Sequence, residues 1–211
     1  MEMGAFVRGK IARLPKIQAS AGRFYEMKIY TAKGDSGSTD LLGERVGKDD
    51  PRIELIGGLD ESTSSIGLGR AHATIAPWRE MLIQSQGDLY QIMAELAFVD
   101  DLRPDAYRLK ADRVSWLEAS IAEIEATVTL PPQFVIPGDT MAGAALDVAR
   151  TVVRRAERLA VALDMSGQKL NPEILRYLNR LSTLLFIVAR AEDLAANDGP
   201  RLAKSKDAGA R

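Results

Sequence analysis

The segment TMAGAALDVARTVVRRAERLAVAL, residues 140–163, has the apolar spacing of one long α-helix. Small and aliphatic residues recur in it every three or four positions, which places them along one face of a helix. The tripeptide Gly138-Asp139-Thr140 at its beginning is typical of a helix start, because short polar side chains cap free backbone N–H groups. The pattern predicts a helix to about residue 163 with one buried stripe, formed by Ala142, Leu146, Ala149, Val153, Ala156, Ala160 and Leu163.

Four more segments carry the same helical period. Asp49-Asp50-Pro51 and Asn171-Pro172-Glu173 each combine a capping side chain with a proline suited to the first helical turn. Strand patterns are confined to residues 27–31 and 134–136. Because helices dominate and the links between them are short, we predict an all-α fold, an antiparallel five-helix bundle with a short N-terminal strand and loop. The four further helices are expected at about 51–75, 77–97, 110–127 and 171–197.

The composition excludes several classes of protein and site. The chain has 211 residues, with 28 Lys and Arg, 29 Asp and Glu, one His and no Cys. Disulfide scaffolds, thiolate metal sites, cysteine nucleophiles and multi-histidine metal centres are therefore excluded within one chain. The net charge of −1 argues against nucleic acid or a membrane surface as a partner. The longest apolar run, Leu184–Ala189, is far shorter than the roughly 20 residues that span a bilayer, so we expect a cytoplasmic protein.

The two ends of the chain differ in composition from the rest. Residues 1–26 carry five basic side chains against two acidic ones and show no sustained helical period. We expect a flexible extension there, and a targeting or partner-binding arm is the alternative. Residues 197–211 are polar and punctuated by Gly and Pro, which is typical of a flexible tail. The helical domain is expected to span residues 27–196.

Common catalytic and metal-binding motifs are absent from the sequence. No Gly-x4-Gly-Lys-Ser/Thr phosphate loop occurs. A di-iron bundle needs Glu-x-x-His pairs, but the residue three before His72 is Gly69. Neither Ser166 nor Ser182 has a nearby histidine to activate it, so a hydrolytic triad is excluded. We expect no metal ion bound by protein side chains.

The segment 30–39, YTAKGDSGST, has the residues of a polyphosphate cradle. Gly34 and Gly37, three apart, allow the backbone to turn its N–H groups inward. Hydroxyl and ammonium groups around them add further donors. A segment rich in Gly, Ser and Asp is also typical of an ordinary turn, so both interpretations stay open. The additional donors are Lys33, Ser36, Ser38 and Thr39.

Arginines flank the apolar stripe of the fourth helix. At 100° per residue, Arg150, Arg154 and Glu157 fall within about 60° of each other. Residues 150–158 contain four arginines but only one acidic residue, a glutamate. Pairing within this segment is therefore not expected to neutralise the arginines. They form either a solvated face whose stems cover apolar surface, or a site for an acidic group from another chain or a phosphate. On the fifth helix, Asn179 lies among apolar residues and should have a specific partner for its amide.

Four segments of the chain resemble the PduO-type cobalamin adenosyltransferases. They occur in the order and spacing of that family and cover about residues 27–195. The early Gly-Asp-x-Gly loop combined with Ala-Arg-x3-Arg-Arg-x-Glu-Arg and Asn-Arg-Leu-Ser makes the resemblance highly specific. The segments are MKIYTAKGDSGSTDLLGERVGKDDPRIELIGGLDES, FVIPGD, ALDVARTVVRRAER and NPEILRYLNRLSTLLFIVAR.

The resemblance implies an activity and an assembly. Such proteins are trimers of five-helix bundles with active sites at subunit interfaces, and they transfer the 5′-deoxyadenosyl group of ATP to the cobalt of reduced cobalamin, releasing triphosphate. Mg²⁺ is expected on the phosphate oxygens rather than on protein ligands. Cobalt(I) is itself the nucleophile, which agrees with the lack of an activated side chain. A reductase and an adenosylcobalamin-dependent acceptor enzyme are implied as further partners.

The resemblance also implies roles for particular residues. The N-terminal loop wraps ATP, and Asn179 lies on the adenosine side. Asp60 pairs with Arg150 across a subunit boundary. Tyr107 is a candidate for the aromatic residue that displaces the lower ligand of the corrinoid, unless it is a loop tyrosine packed on its own bundle. The loop residues are Thr31, Lys33, Gly34, Gly37, Ser38 and Thr39, and the helical cluster is Arg150, Arg154, Arg155 and Glu157.

The chain departs from the family pattern at several positions. Ala32 occupies the place of the usual lysine, with Lys33 one position later, and Thr183 stands where an Asp is often found. Asp60-Glu61-Ser62-Thr63 replaces Asp-Glu-Leu-Asn, and Arg190-Ala191-Glu192-Asp193 replaces Arg-Tyr-Ala-Asn. These departures leave open an alternative function: a relative that binds corrinoid or ATP without catalysis and acts as a chaperone or sensor.

Overall fold

The computed structural model of the chain describes residues 30–130, 132–196 and 201–203. The expected extension over 1–26 and most of the strand predicted at 27–31 lie outside this part, as do 197–200 and 204–211 of the expected tail. The chain divides into two compact units, Met1–Ala32 and Lys33–Arg211. Of the first unit only residues 30–32 are described, and they contain no strand.

The second unit is mostly helical, and the prediction of five helices is confirmed. Two antiparallel strands form a hairpin before the first helix, with Thr39 opposite Val46. Two short 3₁₀ turns, Asp100–Leu102 and Asp105–Tyr107, lie between the second and third helices. In chain order the elements are β1 Ser38–Asp40, β2 Arg45–Gly47, α1 Pro51–His72, α2 Ala76–Ala97, α3 Ala111–Glu125, α4 Met141–Met165 and α5 Pro172–Ala195.

The strand predictions need correction. The structure places a hairpin at 38–47, where the sequence predicts no strand. Strands of three residues are too short to show an alternating apolar pattern, so periodicity gave no signal there. Phe134–Ile136, the second predicted strand, forms only an isolated antiparallel bridge between Val135 and Leu202.

The predicted helix starts are confirmed by their capping bonds. The Asp50 side chain accepts a hydrogen bond of 2.8 Å from the backbone N–H of Arg52 at the start of α1. Thr140 Oγ1 accepts from Gly143 N at 2.8 Å at the start of α4. Asn171 does the same for α5, where Glu173 N donates at 3.1 Å. Each such cap stabilises its helix by about 1 kcal/mol.

Helix α4 lies at the centre of the bundle, between α1 and α5. Its predicted apolar stripe is buried throughout, with Leu146, Ala149, Val153, Ala156 and Ala160 all at 0% exposure. A Cβ atom at Gly58 would lie 3.6 Å from Ala156 Cβ, and one at Gly69 would lie 2.6 Å from Leu146 Cδ2. The earlier glycine of α1, Gly58, lies near the later residue of α4, Ala156, and Gly69 lies near Leu146. Helix α1 therefore runs antiparallel to α4.

A buried carboxylate joins α2, α3 and α5. Asp88 is 3% exposed and accepts two hydrogen bonds from Arg113, at 2.9 and 2.8 Å. The hydroxyl of Tyr177 donates to the same carboxylate at 2.8 Å. Burial raises the pKa of the Tyr177 hydroxyl well above its ordinary value, and the negative charge of Asp88 adds to this effect. The tyrosine is therefore a neutral donor, and it satisfies a carboxylate that would otherwise be costly to bury.

A second buried group, which we name the Arg190 cluster, joins α4 to α5 and consists of Asp147, Arg190 and Asp193. Arg190 is 1% exposed, and its Nη2 atom lies 2.5 Å from Asp147 Oδ2 and 2.9 Å from Asp193 Oδ2. Burial raises the pKa of Asp193, while the hydroxyl of Thr140 at 2.7 Å and the charge of Arg190 oppose the rise. The cluster ties the second turn of α4 to the last turns of α5.

The Arg190 cluster leaves no room for a side chain at Gly143. A Cβ atom there would overlap the Asp193 carboxylate, with Asp193 Cγ only 2.8 Å away. We expect Gly143→Ala to lower the free energy of unfolding by roughly 1–3 kcal/mol, measured by urea denaturation, because the ion pair must shift.

Gly57→Ala is the matched control for that substitution. Gly57 is also inside a helix, but nothing lies within 4 Å of its Cβ position. Alanine should raise the free energy of unfolding there by about 0.5–1 kcal/mol, because it restricts the unfolded chain. Equal effects of the two substitutions would contradict a steric role of Asp193 beside Gly143.

Candidate functional site

The predicted cradle is the ordered turn that leads into β1. Gly37 N donates to Gly34 O at 3.1 Å, and Lys48 N donates to Gly37 O at 2.9 Å. Gly37 has a φ of 80°, a left-handed conformation that side-chain-bearing residues rarely adopt. Arg45 pairs with Asp40 at 2.6 Å and donates to the Lys33 carbonyl at 2.6 Å. The turn is therefore fixed by backbone and side-chain bonds within the chain.

The structure brings Lys33, Gly34, Gly37, Ser38 and Thr39 together on this hairpin. Lys33 and Gly37 are exposed, whereas Gly34, Ser38 and Thr39 are half-buried. Ser38 and Thr39 belong to β1 rather than to a loop. A role in binding phosphate stays a prediction for all five. It stays one for Thr31 too, which belongs to the other unit.

Lys48 is a cation beside the cradle that sequence reasoning missed. Its Nζ atom lies 3.2 Å from the Cβ position of Gly34. The residue follows β2 directly, so the hairpin returns it to the first turn of the loop. The sequence shows that Lys48 immediately precedes the Asp49-Asp50-Pro51 cap. It does not show that β1 pairs with β2, and this pairing is what brings Lys48 close to Gly34.

The hairpin is anchored to the ends of α1 and α2. Leu42 N donates to Ala97 O at 2.8 Å, and Val99 N donates to Leu42 O at 3.2 Å. Arg52, in the first turn of α1, lies 2.6 Å from Glu44 Oε1 and 3.3 Å from Asp50 Oδ2. Two backbone bonds and one ion-pair network thus fix the hairpin at the end of the bundle where α1 begins and α2 ends.

The arginines of α4 are in part paired within the chain, which corrects one expectation. Arg150 is half-buried, and its Nε atom donates to Asp147 Oδ1 at 3.0 Å, one turn earlier on the same helix. Arg155 pairs with Glu61 of α1. The expectation that local pairing could not neutralise these cations was therefore wrong for Arg150, because it considered only residues 150–158.

Arg154 differs from Arg150 and Arg155. It is exposed, and within residues 30–130, 132–196 and 201–203 it has no hydrogen-bond or ion-pair partner. The same is true of Arg158, one turn later on α4. In the part of the chain that the structure describes, the outer face of α4 therefore presents two cations that no carboxylate neutralises.

Asn179 has the specific partners that the sequence led us to expect. Its Nδ2 atom donates to Glu157 Oε1 at 2.9 Å, and its Oδ1 atom accepts from Arg180 Nη1 at 2.7 Å. Arg180 in turn donates to Glu118 on α3 at 3.1 Å. Glu157 and Asn179 are both half-buried, so the structure brings these two predicted site residues together between α4 and α5.

Within the described part of a single chain, Asp60 has no side-chain partner, and Tyr107 packs on another aromatic ring. Asp60 is exposed on α1, next to Glu61, and among the described residues no bond to Arg150 occurs. Tyr107 is 42% exposed, and its ring packs on Phe98 with 4.9 Å between centroids. A different aromatic ring, Phe134, is 89% exposed on the segment before α4.

Glu192 and Asp193, two of the residues that depart from the family pattern, form hydrogen bonds or ion pairs inside the bundle. Glu192 is buried and accepts hydrogen bonds from Thr74 N and Thr74 Oγ1, at 3.0 and 2.7 Å. It therefore fixes the turn between α1 and α2. Asp193 neutralises Arg190 at 2.9 Å. These two acidic residues stabilise the bundle.

The described residues lack both a metal-binding cluster and a membrane-spanning helix. No group of three or more His, Cys, Asp and Glu side chains there could hold a metal ion. No described helix combines the length and the apolar character that crossing a bilayer demands. A cavity of about 510 Å³ lies at the hairpin end of the bundle, lined in part by Arg52, Glu95, Lys169 and Asn171.

The chain is similar in sequence to known cobalamin and corrinoid adenosyltransferases. The family model for cobalamin adenosyltransferase matches residues 29–192. The chain is 39% identical to a corrinoid adenosyltransferase of Bacillus subtilis over 82% of this chain and 90% of that protein. It is 38% identical to the corrinoid adenosyltransferase PduO of Salmonella typhimurium over 81% of this chain, and it spans only 51% of that longer relative.

The chain is also similar to solved structures of corrinoid adenosyltransferases. One is a phenylalanine-to-histidine variant of a PduO-type ATP:corrinoid adenosyltransferase from Lactobacillus reuteri, complexed with cobalamin and ATP. It matches with a TM-score of 0.76 and 31% identity, over 84% of this chain and 97% of that one. An arginine-to-lysine variant from the same organism, complexed with ATP, matches with a TM-score of 0.75 and 31% identity, over 83% and 100% of the two chains.

The Arg52 network that anchors the hairpin should make stability depend on pH. Burial alone would raise the pKa of Asp50, but the hydrogen bonds and the charge of Arg52 lower it below its ordinary value. A carboxylate with a lowered folded-state pKa stabilises the fold above the unfolded pKa, and this contribution is lost as pH falls through the folded pKa. Asp50→Asn, which keeps the capping oxygen, should therefore cost about 0.5–1 kcal/mol at pH 6 and clearly less at pH 3, measured by urea unfolding.

Asp49→Asn is the control for this pH experiment. Asp49 is an exposed neighbour without a side-chain partner among the described residues, and its substitution should change the free energy of unfolding little at either pH. A cost of Asp50→Asn that is the same at pH 6 and pH 3 would show that the charge of Asp50 does not anchor the hairpin.

Proposed function

We infer that this chain, which belongs to the cobalamin adenosyltransferase family, transfers the 5′-deoxyadenosyl group of ATP to the cobalt of a reduced corrinoid. The observation that carries this proposal is the outer face of α4. There Arg154 is exposed and without a partner among the described residues, next to the fixed pair of Glu157 and Asn179. A row of guanidinium groups of this kind suits a triphosphate, which presents several charged oxygens at once.

In this reaction the protein does not need to supply a nucleophile. Cobalt(I) of the substrate attacks the 5′ carbon of ATP, and triphosphate leaves. The protein therefore has to place the two reactants in line and to stabilise the leaving charge. Arg150, Arg154 and Arg155 would serve the triphosphate, and Asn179, positioned by Glu157 at 2.9 Å, would bind the adenosine.

The donor set of the cradle suits an anion rather than a cation. Lys33, Lys48 and the hydroxyls of Ser38 and Thr39 are donors, and the described residues contain no metal-binding cluster. Mg²⁺, when bound with ATP, would be ligated by phosphate oxygens and water, and it would neutralise part of the phosphate charge. The chain's own residues would bind the remaining oxygens.

A complete site requires a neighbouring copy of the chain, and we propose a homotrimer. The hairpin is anchored where α1 begins, which is level with the end of α4 because the two helices are antiparallel. Arg150 lies about 13 residues before Leu163, or about 20 Å along the helix axis. A hairpin from an adjacent protomer would bring the cradle to these arginines, and Asp60 of one protomer would pair with Arg150 of the next.

Two aromatic rings are candidates for contact with the lower face of the corrinoid. Tyr107, proposed from the resemblance, packs against the ring of Phe98 in a tilted arrangement, with 4.9 Å between the ring centroids. Phe134 is 89% exposed and lies on the segment that leads into α4. A ring that displaces a ligand has to be free to insert, so the exposure of Phe134 makes it the better candidate.

We further propose that the enzyme is cytoplasmic, receives corrinoid from a reductase and passes its product to an acceptor enzyme.

An anaerobic turnover assay with ATP, Mg²⁺ and chemically reduced cobalamin tests the proposed reaction. The wild-type protein should form adenosylcobalamin, detected by its absorption spectrum. Arg154→Ala should lower kcat/KM by about 100-fold or more, because a transition-state contact is lost, with little change in thermal stability.

Arg158→Ala is the matched control, since Arg158 is an equally exposed arginine one turn later. It should retain turnover within about threefold of the wild type, as expected of a surface substitution. Tight binding of ATP or cobalamin by the wild type without turnover would overturn the enzymatic proposal and favour a sensor or chaperone.

The proposed pair of Asp60 and Arg150 predicts a weaker trimer in Asp60→Ala. Loss of a carboxylate from a desolvated interface pair costs roughly 2–5 kcal/mol, so trimers should dissociate at micromolar concentration in sedimentation velocity runs. Glu61→Ala is the neighbouring control: its carboxylate pairs with Arg155 within the same chain, and the trimer should persist. An Asp60→Ala protein that remains trimeric at high dilution would remove the proposed pair.

A further inference from the structure

The guanidinium of Arg190 is a buried charge whose position is fixed from several sides. Asp147 and Asp193 lie 2.5 and 2.9 Å from its Nη2 atom, and the ring of Phe186 lies 5.6 Å from its Cζ atom. Removing a charge from water is costly unless counter-charges stay in place. The two carboxylates are therefore held to Arg190 for as long as the bundle is folded.

Asp147 contacts one arginine with each of its two oxygens. Oδ2 accepts from the buried Arg190 at 2.5 Å, and Oδ1 accepts from Arg150 Nε at 3.0 Å. The carboxylate is 5% exposed. Rotation of this group to release Arg150 would also break its bond to Arg190, so the orientation of Oδ1 is determined by the core of the bundle.

Arg150 is fixed at one corner of its guanidinium and open at the others. The bond from Nε determines the plane of the group, because a guanidinium is rigid and planar. Nη1 and Nη2 have no partner among the described residues. Arg150 is half-buried at the edge of a cavity of about 310 Å³, which Asp147, Pro137 and Gly138 also line. The two terminal nitrogens therefore remain available for an acidic group from outside the chain.

We propose that Asp147 is a positioning residue that orients Arg150 for its acidic partners, and that the buried Arg190 fixes Asp147 for this purpose. The inference rests on the proposed function, in which Arg150 serves the nucleotide and the partner's carboxylate. Asp147 touches neither reactant and acts through Arg150. The arrangement transmits the rigidity of the bundle core to a surface cation through one carboxylate.

A double-mutant cycle in the turnover assay tests the inference. Asp147→Asn should lower kcat/KM by about tenfold or more, because an amide can accept from only one of the two arginines. In an Arg150→Met background the same substitution should change kcat/KM by less than about twofold, since the group it orients is gone. Independent, multiplying effects of the two substitutions would overturn the proposal.

Asp88→Asn is the matched control for loss of a buried carboxylate. Asp88 is 3% exposed and paired with Arg113, but it has no bond to Arg150. Both substitutions should lower the melting temperature, whereas only Asp147→Asn should lower kcat/KM. If Asp88→Asn reduces kcat/KM as much as Asp147→Asn, the role of Asp147 is structural only.

A second measurement on the wild-type protein needs neither turnover nor a stable Asp147 variant. The Nε–H signal of Arg150, identified by its loss in Arg150→Lys, should exchange with water at least about tenfold more slowly than that of the exposed Arg154. Equal exchange rates would overturn the proposal. A slow Nε–H signal in a protein without turnover would leave Asp147 as the group that orients Arg150 and reject only the enzymatic function.

Discussion

The structure depends on a guanidinium that is buried inside a helical bundle. Arg190 is neutralised by Asp147 and Asp193, and the Asp193 carboxylate leaves no space for a side chain at Gly143. The cluster therefore links α4 to α5 through two ion pairs and the bond from Thr140 to Asp193. Breaking such a pair exposes an uncompensated buried charge, so this part of the bundle resists local change.

The charged residues of α4 lie on two sides of the helix. Toward the core, Asp147 satisfies Arg190 and fixes Arg150 at 3.0 Å. Toward solvent, Arg154 and Arg158 have no partner in the described parts of the chain. A single helix thus carries both the ions that stabilise the bundle and, in Arg150 and Arg154, cations that a triphosphate would require, and Asp147 fixes the orientation of Arg150.

Most of the fold could be predicted from the sequence, because all five helices have long apolar periods and three of them begin at a capping side chain. The hairpin at 38–47 was missed, since strands of three residues show no period. The site was predicted in part: Glu157 and Asn179 do meet, at 2.9 Å. The role of Asp147 was missed because its partner Arg190 is 43 residues away in the chain, and helical spacing relates only near neighbours.

The crystal structure of the enzyme with bound ATP is the most direct test of the central claim that the outer face of α4 binds the nucleotide. Triphosphate oxygens should lie within about 2.7–3.2 Å of Arg154 and of the turn around Gly34 and Gly37 from an adjacent protomer. A triphosphate bound instead in the 510 Å³ cavity beside Arg52 and Lys169, with the Arg154 side chain extended into solvent, would contradict it.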